Sequence, residues 1–213
     1  LSGSWGEFRV GRQDSVVFQT MADFDFNGAS NGVSAGAYSG IGVFARGRQS
    51  GVLNYIAPSM GGVTAQFGYQ PKGNRGVGAK DVLSAGVRYA SGPIALGAAY
   101  ESKHANGEKD FVSVAGSYDF GAAKVMAGYT DAGSIAAGGS GKGYTLGVQA
   151  PVAGFTVGAI YANNTDSLAE IKSYELFLNK ELFKNTYGYV EGGNWKSGST
   201  KFSGYALGLI FVF

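Results

Sequence analysis

The chain has 213 residues, a length that suits a single all-β domain better than two ordinary domains. Hydrophobic residues make up 45% of the chain, yet no window of about 18 residues is apolar enough to cross a bilayer as a helix. Because cysteine is absent and the net charge is only +2, disulfides and thiolate metal sites are excluded and no nucleic-acid-binding surface is indicated.

Apolar residues alternate with small or polar ones along almost the whole chain, which predicts strands with two different faces. The 37 glycines, 13 tyrosines and 14 phenylalanines also suit paired strands better than helices. The pattern predicts about twelve antiparallel strands, near residues 5–13, 49–56, 63–70, 80–90, 94–102, 109–119, 124–131, 143–149, 155–162, 170–179, 184–195 and 201–213.

The two faces of these strands favour a transmembrane β-barrel over a soluble sandwich. The face opposite the apolar one is rich in Gly and Ala and has few charges, whereas roughly a quarter to a third of a soluble surface is charged. Several apolar faces also end in an aromatic residue, as expected of an interfacial girdle: Tyr69, Tyr89, Tyr100, Tyr129 and Tyr161.

Connection lengths alternate as well, with short turns at one end of the strands and long polar loops at the other. This is the pattern of bacterial outer-membrane barrels, in which the long loops are extracellular. The short connections fall at 57–62, 90–93, 121–123 and 150–154, and the long ones at 71–79, 102–108, 132–142 and 163–169.

The last strand places an apolar or aromatic residue at every second position up to the terminal residue of the chain. This arrangement looks like the outer-membrane assembly signal, and we expect Tyr205, Phe211 and Phe213 to carry it. A lipid-facing closing strand would have the same pattern.

Three segments resemble the general diffusion porins of Gram-negative bacteria, especially the trimeric β-proteobacterial type. They are residues 6–13 (GEFRVGRQ), 48–59 (RQSGVLNYIAPS) and 61–69 (GGVTAQFGY). In that family a strand ending in Gly-Arg-Gln leads into the third extracellular loop. The resemblance continues, as a pattern of strands and turns, through 174–179 to Phe213.

The resemblance implies an integral outer-membrane channel for small hydrophilic solutes and ions. It also implies contact with outer-membrane lipid, a homotrimer, and no cofactor or catalytic centre. Family members usually have sixteen strands, of which the chain matches the last twelve. Either the chain is part of a longer protein, the interpretation we favour, or it is a reduced twelve-strand barrel.

Residues 14–45 far exceed the usual length of a connection, and long loops are generally functional or disordered. Phenylalanines interleaved with its acids would let this segment pack on the inner wall and form a constriction. The expected acidic residues are Asp14, Asp23 and Asp25; the basic residues of the wall are Arg9, Arg46, Arg48 and Arg88; further luminal charges are Glu7, Glu101 and Lys124.

Other functions have weaker support in the sequence. An autotransporter-type translocator barrel would also have about twelve strands, and a substrate-selective channel would show a recognisable ligand ladder. Catalysis is not indicated, because His104 is the single histidine, which excludes a two-histidine metal site. The glycine-rich stretch before Tyr144 lacks the Ser or Thr that a phosphate loop needs after Lys142.

Overall fold

The computed structural model describes residues 1–27, 32–41, 47–135, 139–166 and 170–212. They form thirteen strands, two short α-helices and one 3-10 helix, and none of these described helices is long and apolar enough to span a membrane. The strands are β1 Ser2–Gly3, β2 Gly6–Asp14, β3 Arg48–Ile56, β4 Val63–Gln70, β5 Val82–Ser91, β6 Ile94–Glu101, β7 Phe111–Asp119, β8 Lys124–Ile135, β9 Gly139–Val152, β10 Phe155–Asn164, β11 Ile171–Phe183, β12 Thr186–Ser197 and β13 Thr200–Phe211.

All strands belong to one antiparallel sheet in which each strand pairs with its neighbour in sequence. The predicted all-β antiparallel fold is confirmed, and the twelve predicted strands correspond to β2–β13. Two details differ from the prediction. The two-residue β1 was missed, and β8 and β9 extend into the expected loop 132–142, because their ladder continues past a register shift between Asp131 and Ser134.

The sheet has one apolar, exposed face. Side chains such as Leu83, Leu176 and Leu207 point outward and remain 60%, 67% and 79% exposed. The opposite face carries Gln, Ser and Glu side chains, many of them buried, together with glycines. Polar residues are thus covered while leucines are bare, which is the inverse of a soluble β-protein and suits a lipid-facing wall.

The segment between β2 and β3 covers the polar face. It contains α1 Val16–Met21, a 3-10 helix Ala22–Phe24 and α2 Ala35–Ser39. The first two contact β4–β8, and α2 contacts β10–β12. In a flat sheet β4 and β12 would lie about 38 Å apart at ordinary strand spacing, so the sheet must curve around this short segment.

One apolar cluster joins the segment to the inner wall. Val17, Met21 and Phe24 pack in it with Ala99 of β6 and Phe177 of β11, which lie five strands apart in the sheet. Phe18 and Phe26 pack against the same cluster. The phenylalanines of the segment therefore supply its contact with the wall.

Glycines on the inner face give α1 its close approach. A Cβ on Gly86 would lie 3.1 Å from Val16 Cγ1, and one on Gly97 would lie 2.6 Å from Phe24 Cε2 and 3.3 Å from Met21 Sδ. Any side chain at these positions would push the helix away from the wall. The glycine content of the alternating pattern thus has a local cause here.

Gly86→Val should displace α1 and destabilise the protein by about 1–3 kcal/mol, as overpacking of a filled interior does. The matched control is Ala85→Val, because Ala85 is the neighbouring residue on the opposite face and faces an open groove. Urea unfolding of both variants in lipid vesicles tests this. Equal stability of the two variants would show that α1 does not rest on Gly86.

Candidate pore constriction

The N-terminal half of the segment is held by hydrogen bonds to β2, to β4 and to the start of β3. Ser15 caps α1, its Oγ accepting from Phe18 N at 3.0 Å, and its own N–H donates to Gly47 O at 3.0 Å. Gln66 Nε2 of β4 donates to Thr20 Oγ1 at 3.0 Å. Arg9 of β2 donates to Gln19 Oε1 at 3.1 Å. The helix is therefore fixed along its length and not only at its ends.

Two buried glutamates of the wall hold the other half. Glu191 of β12 accepts from Val33 N at 2.5 Å and from Asn27 Nδ2 at 2.6 Å. Glu175 of β11 accepts from Ala35 N at 2.8 Å, and its other oxygen accepts from the same Asn27 amide group. All four carboxylate oxygens thus bond to N–H groups of one segment. Both side chains are almost fully buried.

The end of α2 is also fixed to the wall. Asn164 Nδ2 of β10 donates to Ser39 O at 2.8 Å, which satisfies a carbonyl at the helix end. Tyr38 stacks on Trp195 of β12 with ring centroids 3.9 Å apart, and Trp195 in turn stacks on Phe202 of β13. Polar and aromatic contacts therefore hold the segment against strands β10–β13.

Asp25 lies beside the two glutamates. Both of its carboxylate oxygens are buried without a well-formed hydrogen bond. Burial raises the pKa of Asp25 to about 6; the Asn27 N–H and the Ser34 hydroxyl lie near enough to lower it, and the charge of Glu191 raises it further. Asp25 therefore belongs to the buried acidic cluster around the anchoring glutamates.

Asp23 is the acid of the segment that meets a basic residue of the wall. It forms an ion pair with Arg88 of β5, and its side chain remains 60% exposed. Lys124 of β8 lies nearby, with Nζ 5.3 Å from the Phe26 ring. These three charged residues and Asp119, the ladder partner of Lys124, line one polar hollow of about 240 Å³ between the segment and the wall.

The remaining predicted charges form local pairs. Arg9 Nε lies 2.8 Å from Glu7 Oε1 on the same strand. Arg48 lies 3.4 Å from Asp14, its partner in the β2–β3 ladder. Glu101 is fully buried, with His104 Nε2 at 2.6 Å and Gln49 Nε2 at 2.8 Å from its oxygens.

The predicted assembly residues Tyr205 and Phe211 lie on the outward face of β13, 90% and 62% exposed. Phe213 and Arg46 lie outside the described residues. Glu175, Glu191 and Asn27 were not singled out from the sequence. Alternation does place Glu175 on the inner face, but a buried glutamate was not expected in a water-facing wall.

The described residues contain no group of three His, Cys, Asp or Glu side chains arranged to hold a metal ion. Two of the three predicted acids, Asp14 and Asp23, instead lie against arginines of the wall. The model for Gram-negative porins matches residues 1–200. The chain belongs to the Gram-negative porin family. It is therefore an integral outer-membrane protein, and the predicted family is confirmed.

Outer membrane porin protein 32 of Delftia acidovorans is 29% identical to this porin in an alignment of 202 positions, which covers 84% of the chain and 56% of that relative. The chain thus spans little more than half the length of this curated relative. The anion-selective porin from Comamonas acidovorans has a similar structure, with a TM-score of 0.81 and 22% identity over all of this chain and 76% of that one.

OmpT of Vibrio cholerae, in a form lacking its loop L8, has a TM-score of 0.71 and 14% identity over 97% of this chain and 76% of its own. These TM-scores establish a shared fold, and at such low identities they establish the fold alone. They show that the curved sheet and its spacing of strands are those of a porin wall.

Asp25→Asn should stabilise the protein above pH 6 and change little below pH 4. The folded-state pKa of Asp25, about 6, exceeds its ordinary 3.8, so the native state holds a proton there that the unfolded chain releases. Its stabilising contribution is complete below about pH 4 and is lost as pH rises through 6. The gain at pH 7.5 should be at most about 3 kcal/mol.

The measurement is the urea unfolding free energy of parent and variant in vesicles at pH 4 and pH 7.5. The matched control is Asp23→Asn, since Asp23 is exposed and paired with arginine. A difference between Asp25→Asn and the parent that does not vary with pH would contradict the assignment.

Proposed function

We propose that this porin forms a water-filled channel through which small hydrophilic solutes and ions diffuse passively across the outer membrane. The segment between β2 and β3 is its constriction. The observation that supports this most directly is the ion pair of Asp23 with Arg88 beside the polar hollow that also contains Lys124.

A diffusion channel needs a wall that is apolar outside and hydrophilic inside, together with a fixed narrowing. The exposed leucines and tyrosines make the outer face of the wall apolar. The segment provides the fixed narrowing, because hydrogen bonds hold it against β4 on one side and β11–β12 on the other.

The constriction presents charges of both signs. Asp23 comes from the segment, whereas Arg88, Lys124 and Asp119 come from the wall, so their field crosses the space that a solute would pass. The porin from Comamonas acidovorans is described as anion-selective. In this chain we propose that the balance of Asp23 and Asp119 against Arg88 and Lys124 determines ion preference.

The proposed activity requires no nucleophile, metal or cofactor. We further propose a homotrimer in contact with outer-membrane lipid, in keeping with the resemblance to trimeric porins. Native mass spectrometry of the full-length protein in a mild detergent measures this directly. A monomer under those conditions would contradict the trimer.

Single-channel recording in planar bilayers tests the channel and its constriction. Asp23→Asn should shift the permeability ratio toward anions and Arg88→Gln toward cations. A unit charge about 8 Å from an ion in water contributes about 0.5 kcal/mol, which corresponds to roughly a twofold change in that ratio.

The charge-matched controls are Glu181→Gln and Lys184→Gln, two exposed residues at the short turn between β11 and β12. They should leave the permeability ratio near that of the parent. Bilayers that stay ion-tight with the folded protein would refute the channel. Unchanged selectivity in both site variants would remove Asp23 and Arg88 from the constriction.

A further inference from the structure

Three lysines lie side by side on the outer face of the last three strands. Lys172 of β11 is the ladder partner of Lys196 of β12, and Lys196 is the ladder partner of Lys201 of β13. Each shares its face with exposed apolar residues further along its own strand, as Lys172 does with Leu176 and Lys201 with Leu207. We call these three residues the lysine row.

The lysine row lies at the extracellular ends of its strands. Lys172 is the second residue of β11, and Lys196 and Lys201 flank the turn between β12 and β13. This end of the sheet also carries the long connections between β2 and β3, β4 and β5, and β6 and β7. In outer-membrane barrels that end faces the cell exterior.

An aromatic cluster marks the membrane interface just below the row. Tyr161 lies 5.9 Å from Tyr144 and 4.9 Å from Tyr174, measured between ring centroids. All three point outward, and Tyr174 is two residues from Lys172 on the same face of β11. Tyrosines in such positions sit at the level of lipid headgroups, so the row lies at or just above that level.

Like charges directly opposite each other in a sheet are unfavourable, because their Cβ atoms are only about 5 Å apart. One acid lies close by: Glu170 Oε2 is 3.0 Å from Lys172 Nζ. Hydrogen bonds from Lys172 and Asn163 hold the pKa of Glu170 below its usual range, and the charges of Lys172 and Lys196 lower it further. Within the described chain, Lys196 and Lys201 have no ion pair of their own. The row therefore keeps a positive excess.

The neighbouring charges do not cancel this excess. Lys142 of β9 pairs with Asp131 of β8, with Nζ and Oδ2 3.9 Å apart. Both residues are on the same outer face, two and three strands away from Lys172. A mobile anion at headgroup level would neutralise the row without leaving the lipid-facing surface.

We propose that Lys172, Lys196 and Lys201 bind the phosphate groups of a lipid headgroup in the outer leaflet. Lysine binds phosphate as a compact point charge with three N–H donors. A doubly charged phosphate monoester satisfies three lysines better than a singly charged phosphodiester does. The acyl chains of the same lipid would then lie along the tyrosines and leucines below.

Native mass spectrometry of the full-length protein in neutral detergent measures lipid binding directly. The probes are bisphosphorylated lipid A, the same lipid A with both phosphates removed, and phosphatidylglycerol. Bisphosphorylated lipid A should bind most tightly. The variant with Lys172→Gln, Lys196→Gln and Lys201→Gln should bind it at least about tenfold more weakly, since it lacks all three positive charges that attract the anionic lipid.

The control variant carries Lys72→Gln, Lys103→Gln and Lys109→Gln, which remove the same charge from two extracellular loops. It should bind lipid A within about twofold of the parent. Channel conductance should be unchanged in the lysine-row variant, because the row lies on the outer wall. This keeps the outcome separate from that of the proposed channel.

A gain-of-binding variant removes any dependence on how well the triple variant folds. Glu170→Gln keeps all three lysines. In the parent protein Asn163 Nδ2 donates to Glu170 Oε1 at 3.0 Å, and the amide oxygen of the glutamine could accept the same hydrogen bond. Removing the acid should strengthen lipid A binding by about two- to fivefold.

Several results would overturn the proposal. Equal binding of phosphorylated and dephosphorylated lipid A would show that the phosphates are not recognised, and unchanged binding in the triple and Glu170→Gln variants would show that the row is not the site. A changed oligomeric state with unchanged lipid binding would assign the row to a contact between subunits instead.

Discussion

The structure depends on the hydrogen bonds that Glu175 and Glu191 accept from the segment between β2 and β3. Two carboxylates in a buried position are costly unless every oxygen has a donor, and here the donors are Val33 N, Ala35 N and the Asn27 amide group. The cost of burying the charges is recovered only when the segment is in place. The glutamates therefore favour one position of the segment over all others.

That position determines the geometry of the proposed constriction. With one half of the segment bound to β11 and β12 and the other seated on glycines of β5 and β6, Asp23 is brought to Arg88. Asp25, only two residues later, is buried beside the anchoring glutamates without a well-formed hydrogen bond of its own. Two neighbouring acids thus have different surroundings, and Asp23 belongs to the space through which we propose that solutes pass.

The strands could be predicted from the sequence because their alternation depends on local residues and on the contrast between lipid and water. The length and phenylalanines of residues 14–45 likewise suggested that this segment packs inside. Its anchors could not be predicted, since Asn27 bonds to residues 148 and 164 positions away in the chain. Nor does the alternation distinguish an inner glutamate covered by a helix, such as Glu175, from one open to water, such as Glu7.

The most direct test of this account is the single-channel conductance of the variant that combines Glu175→Gln with Glu191→Gln. An amide in place of each carboxylate sets N–H groups against the N–H donors of the segment, so the anchor should fail and the channel should widen. We expect a higher and noisier conductance than in the parent, and an unchanged conductance in the control Glu181→Gln. A conductance identical to that of the parent, in a correctly folded variant, would contradict it.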